Sequence, residues 1–149
     1  MVGAEIRGLL FNGHPQTLKT YASNATLAAG DLVNLTSNQL EIAGAGERIK
    51  GVLMKPGTSA STSLAVNITP FLTFLMDNDN DSATFAATDA GSSFFDLIGG
   101  TGAQVIDTSS RAASDAVAST GQLACLEFNP NGNDTSVGLF MINPDERQF

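Results

Sequence analysis

The chain has 149 residues, 15 of them Gly, with charged residues at 15% and hydrophobic residues at 42%. That length is one domain, or one domain with an appended arm, and the apolar share excludes a disordered chain. The net charge of −8, with no Lys or Arg between Lys55 and Arg111, argues against binding to phosphate backbones, and the single cysteine, Cys125, excludes an internal disulfide.

Small and turn-forming residues at this density favour a mainly β protein with many loops. Residues 1–7 lack the basic and apolar regions of a signal peptide. The best apolar run, residues 70–76, is far too short for a membrane helix. Triplets such as Asn34-Leu35-Thr36 are read as accidents of an Asn- and Thr-rich composition.

In chain order, residues 1–12 mix Ile6, Leu9, Leu10 and Phe11 with Gly3 and Gly8, which suits an extended arm or edge strand better than a helix. Gly13-His14-Pro15 is a break. Residues 16–21 form a strand candidate. Gly30-Asp31 turns the chain into a strand over 32–36, Ser37-Asn38 is a tight turn, and 39–42 alternates apolar and polar as a half-buried strand does. A Gly-containing loop over 43–47 leads to a strand over 48–55, where Gly51 marks a bulge or a close backbone approach.

Residues 63–76 read as one or two strands interrupted at Pro70. A polar loop over 77–82 precedes a short strand over 83–87. The apolar run 94–98 ends at Gly99-Gly100-Thr101-Gly102, and 104–107 is one more strand. The Ala-rich stretch 110–119 fits a short helix or an ordered loop equally. Residues 121–128 and 136–142 flank a dense turn cluster and read as a β-hairpin with a long loop. Residues 143–149 form a polar tail.

Few residues carry an obvious chemistry. His14 lacks convergent partners for a metal site or a general base. Cys125, among apolar strand residues, reads as a small buried hydrophobe. Asp77, Asp79 and Asp81 alternate as calcium ligands do, but Ser82 stands where the loop needs Gly and Thr88 where it needs a bidentate Glu. A solvated acidic loop is the simpler reading. Gly99-Gly100-Thr101-Gly102 lacks the Gly-Lys-Ser/Thr of a phosphate cradle, and no Gly-X-Ser-X-Gly elbow occurs. Catalytic, cofactor and metal residues are therefore expected to be none, and the chain is expected not to be an enzyme. The aromatic set is core by default. The adjacent Phe94 and Phe95 point to opposite faces of a strand, which leaves one for a partner.

Residues 29–35 (Ala-Gly-Asp-Leu-Val-Asn-Leu), then Gln39-Leu40, then residues 45–53 (Ala-Gly-Glu-Arg-Ile-Lys-Gly-Val-Leu) resemble the head decoration, or cement, proteins of tailed bacteriophages. The resemblance covers a quarter to a third of the chain. It implies a small β-barrel or β-clip-like domain over 22–149 with long loops, and an extended N-terminal arm over 1–21. It also implies a non-enzymatic protein on the outer surface of the mature virion. There it would bind the major capsid protein and itself, as a homotrimer, with no nucleic acid, membrane or cofactor. Ile6, Leu9, Leu10 and Phe11 of the arm, with Phe94 and Phe95, are the expected partner-binding residues. A receptor- or carbohydrate-binding module of a phage fibre is the alternative; the absence of Trp and the single Tyr21 argue against it.

Overall fold

The structure, a computed structural model, describes residues 3–6, 16–80, 84–113, 121–130, 132 and 135–148. The fold is mainly β, as expected, and is built from two sheets. The first is a closed five-stranded barrel made from one continuous stretch of chain: β2 (Leu18–Ser23), β3 (Leu32–Thr36), β4 (Gln39–Ile42), β5 (Gly51–Leu53) and β6 (Leu64–Asn67), in the order β2-β4-β3-β5-β6. β2 pairs in parallel with β4, and every other barrel pair is antiparallel.

The second sheet is antiparallel throughout. It contains β1 (Glu5–Ile6), β7 (Thr73–Asp77), β8 (Ser93–Ile98), β9 (Val105–Ala113), β10 (Leu123–Phe128) and β11 (Val137–Ile142), in the order β1-β7-β11-β10-β8-β9. It curls far enough for Asn78, just past β7, to form a bridge with Ile106 of β9.

Local sequence explains most of these elements. β3 and β4 are joined by Ser37 and Asn38, both with positive φ (51° and 63°), the handedness that a two-residue hairpin turn needs to match strand twist. Gly30 has φ +87°, and Asp31 closes its turn by donating its N–H to Ala28 O while its carboxylate accepts from Ala28 N–H. Gly51 is a close approach: a Cβ there would lie 2.2 Å from Asn67 O on the neighbouring β6. The interruption at Pro70 separates β6 from β7.

Other expectations shift. Residues 84–86 join no strand, and Ala87–Asp89 is a 3₁₀ turn, so the strand expected over 83–87 is absent from the described part. Residues 110–113 continue β9 rather than starting a helix; 114–120 lie outside the described residues. Of the arm expected over 1–21, residues 5–6 are the edge strand β1 and residues 18–21 belong to the barrel strand β2. Residues 7–15 lie outside the described residues.

Two apolar clusters follow from the strand alternation. Val33, Leu40, Leu53, Leu64 and Val66, with Leu27, fill the barrel. Leu32, Ala43, Ile49 and Val52 point the other way and pack with Phe74, Met76, Phe95, Leu97, Ile106, Leu123 and Phe140 of the second sheet. β3 is therefore buried on both faces. Phe85, Phe95 and Phe140 form an aromatic triad with centroids 5.4–6.1 Å apart, two of the pairs edge-to-face.

The seam between the sheets is also polar. Gln104, fully buried, accepts from Leu32 N–H at 2.7 Å and donates to Leu32 O and Ala43 O at 3.0 and 2.9 Å. Gln122, also fully buried, accepts from Leu97 N–H and donates to Gly44 O and Glu47 O. The Asp31 carboxylate receives Gly102 N–H at 2.9 Å. Replacing Gln104 by Ala orphans one N–H and removes a donor from two carbonyls, at a cost of about 1–3 kcal/mol for each group left unsatisfied in the interior. Urea denaturation of Gln104→Ala should show a fall in unfolding free energy of about 3 kcal/mol. An unchanged midpoint would mean that the Gln104 bonds add nothing net to holding the sheets together.

Candidate functional site

Where the barrel, the second sheet and the C-terminal tail meet, the chain leaves a recess of about 180 Å³. Three pieces of backbone build it. The end of β6 supplies Asn67, Ile68 and Thr69; the end of β11 supplies Met141 and Ile142; and the tail beyond Pro144 returns to the barrel, where Arg147 bridges Ile49 in parallel and brings its side chain beside Lys50. The tail is anchored by Gln148, whose side-chain amide bonds both the N–H (2.7 Å) and the C=O (2.9 Å) of Leu35.

The recess is basic in an acidic protein. Burial lowers the Lys50 pKa from the usual lysine range, and the positive charges of Lys19 and Arg147 lower it further. Of the chain's seven Lys and Arg residues, two others thus act on Lys50. Lys50 is almost wholly buried, and its ammonium stands 6.0 Å from the centre of the Tyr21 ring. Burial also lowers Arg147, whose guanidinium donates to Ile68 O. The ion pair formed among the described residues is Arg111 with Asp89, away from this recess.

Asn67 forms the floor and is 1% exposed. Its Oδ1 accepts from Thr69 N–H at 3.1 Å and from the Thr69 hydroxyl at 2.6 Å, while Thr69 Oγ1 accepts Thr17 N–H. Its Nδ2 is buried and has no hydrogen-bond partner among the described residues. Phe71 stands on the rim, 54% exposed, with φ +57°, a conformation that few bulky residues adopt.

The residues singled out from sequence lie elsewhere. Ile6 pairs through its backbone with Phe74 at the β7 edge. Leu9, Leu10 and Phe11, and also His14, lie outside the described residues. Phe94 is half-buried on the outer face of β8, opposite Ala112 and Ala124 of its two neighbouring strands. Phe95, expected among the partner-binding residues, is instead fully buried, because alternation on a central strand turns it into the aromatic triad, with the Arg111 guanidinium 5.3 Å from its centroid. Asp79 accepts from the Thr108 hydroxyl at 2.9 Å, Asp77 ends β7, and Asp81 lies outside the described residues. Among the described residues no three His, Cys, Asp or Glu side chains are grouped to hold a metal, and no helix is long and apolar enough to cross a membrane. Sequence reading missed the recess because Lys50 and Arg147 meet only through the returning tail.

Two buried ionisable groups make predictions. Cys125 is 2% exposed; burial, with the nearby Asp89 charge, pushes its thiol up to about 12. The thiol should not react with a disulfide reagent at neutral pH in the folded chain and should react fully in denaturant. For Asp89, burial pushes the pKa up, but hydrogen bonds from Arg111, the Ala86 N–H and Ser93 outweigh it and hold the carboxyl below its usual range. A depressed folded pKa adds stability above the unfolded value of about 3.9, and that stability is lost as pH falls through the folded value. Asp89→Asn should therefore flatten the acid limb of the stability–pH curve below about pH 4. An identical limb in the variant would show that the pair is not linked to folding.

Compared with known proteins, the chain matches no family model and no curated sequence.

Proposed function

We propose that this chain is a capsid decoration protein, which binds the outer surface of a mature phage head as a homotrimer and stabilises contacts between coat subunits. The observation that carries the proposal is the fate of the stretch on which the resemblance rests. Residues 29–53 fold as one contiguous module, the Gly30-Asp31 turn followed by β3, β4 and β5, and this module forms three of the five barrel strands. The loop at its centre, 43–47, is held by Gln104 and Gln122 from the second sheet.

Physical economy supports the same reading. A protein repeated by shell symmetry gains avidity from many modest contacts and needs no single large apolar patch. Closing the barrel removes the sheet edges through which neighbouring copies would otherwise aggregate. The net charge of −8 suits an exposed outer layer that never touches the packaged genome. At the N-terminus, β1 adds to the β7 edge by backbone pairing. Leu9, Leu10 and Phe11 follow it directly in sequence and are the apolar residues proposed to reach the coat or a neighbouring copy by the same mode.

Purified chain added to mature heads lacking it should bind in a fixed ratio to coat subunits and raise the temperature at which the heads break. Replacing Leu9, Leu10 and Phe11 together by Ser leaves β1 in place. It should weaken binding by about tenfold or more while the circular dichroism spectrum is unchanged. Heads that bind no chain, or that bind it without gaining thermal resistance, would overturn the proposal. Full occupancy by the triple variant would remove the arm from it.

A further inference from the structure

We infer that the recess between Lys50, Asn67 and Arg147 is a binding site for a carboxylate carried on a small apolar body. The inference rests on the donor set and the walls together. The charged side chains that line the recess, Lys50 and Arg147, are both donors; Asn67 and Thr69 line it too, the Thr69 hydroxyl already bonded to Asn67 and to Thr17 N–H, and the buried Asn67 Nδ2 has no partner among the described residues. The Asn67 amide cannot satisfy itself by rotating, because its Oδ1 is already held by both the N–H and the hydroxyl of Thr69. A buried donor left without a partner is rare in native proteins and calls for an acceptor from outside. Lys50 and Arg147, both drawn out of water at one recess, with Arg147 lowering the Lys50 affinity for a proton, call for an anion.

The walls choose between anions. Ile68, Leu72 and Met141 face the same space, so a fully hydrated dianion such as phosphate would lose water against hydrocarbon. Arg147 already spends one amino group on Ile68 O, which leaves a pair of donors that can hold two oxygens of one anion, so the choice of a carboxylate rests on the apolar walls. The volume, about 180 Å³, accommodates a group of one amino-acid residue, and a second recess of about 350 Å³ shares Lys50, Ile68 and Arg147 and extends to Pro70 and Gln148. A free aliphatic acid and an acidic side chain flanked by an apolar one share this chemistry. The site is a property of the isolated chain and does not depend on the capsid reading.

The test uses the full chain, labelled for NMR, with four probes. These are N-acetyl-leucine, its neutral amide, inorganic phosphate, and the capped dipeptide acetyl-Leu-Glu-amide. N-acetyl-leucine should shift the Ile68 and Leu72 signals saturably and raise the pKa of the Lys50 ammonium. The neutral amide should do neither, and phosphate should bind at least about tenfold more weakly. Lys50→Met keeps the aliphatic stem and should lose about tenfold or more in affinity with its thermal unfolding little changed; Arg147→Met should do the same where it folds. Tighter binding of the dipeptide than of the free acid would assign the site to an acidic side chain of a partner, and the reverse order to a free acid. Equal shifts with acid and amide, phosphate binding as tightly as the acid, or Lys50→Met binding within about twofold of the parent chain would each overturn the inference.

Discussion

The structure depends on one constraint: the backbone of the barrel that faces the second sheet must be hydrogen-bonded in a place that no strand reaches. β3 is buried on both faces, and the loop from Ala43 to Glu47 bends away from it, so Leu32 N–H and Ala43 O turn toward the interior, and the carbonyls of Gly44 and Glu47 toward the part-buried seam. An apolar wall there would leave several buried groups unsatisfied, each at a cost comparable to a large share of a domain's net stability. Gln104 and Gln122 solve this with their side-chain amides. Each carries a carbonyl and an NH₂ group, so it can pair with backbone as another strand residue would. Gln148 repeats the device on Leu35 from the opposite end of the chain.

Because each amide is held at both ends, it sets register as well as energy. Gln104 stands at the start of β9 and Gln122 at the start of β10, so the ladder of the second sheet is locked to the barrel loop at two separate strands. Asp31 adds a third lock, from the barrel turn to Gly102. The chain ends cross between the sheets in the same way. Gly3 and Ala4 bond Gln104 O and Gly30 O before β1 joins β7, while the tail leaves β11 and returns to Ile49. The second sheet thus takes its edge strand β1 from ahead of the barrel, and the barrel, closed by its own strands, is bridged beside β5 by the tail.

How much of this could be read from sequence follows from the range of each interaction. The β3–β4 hairpin was legible because Ser37-Asn38 and the alternation around it are local. The close approach at Gly51 was legible as one of two meanings, and packing chose between them. β9 was read too short because the polar run Asp107-Thr108-Ser109-Ser110 disguises a strand whose hydroxyls bond Asp79 and the β8 backbone. Phe94 and Phe95 were correctly placed on opposite faces, but which face was core depends on Phe140 and Phe85, far away in sequence. The glutamine locks and the basic recess gave no local signal at all. A lone Gln before a strand and a Lys beside Ile49 look like ordinary surface residues until the partner segments arrive.

The same long-range closure explains why the most unusual chemistry of the chain sits where it does. The tail docks on the barrel through a parallel bridge at Ile49, the Gln148 amide and the Arg147 bond to Ile68 O, and the gap left at the seam is lined by what the three converging segments present. Had the gap needed only to be filled, Leu or Met at positions 50 and 147 would cost less than two cations, since like charges drawn out of water repel and lose hydration. The chain places Lys50 and Arg147 there together, with a buried amide donor beneath them, while keeping basic residues scarce elsewhere. On the inference drawn above, an acceptor that enters between the two cations would relieve both their lost hydration and the unmade hydrogen bond of the amide.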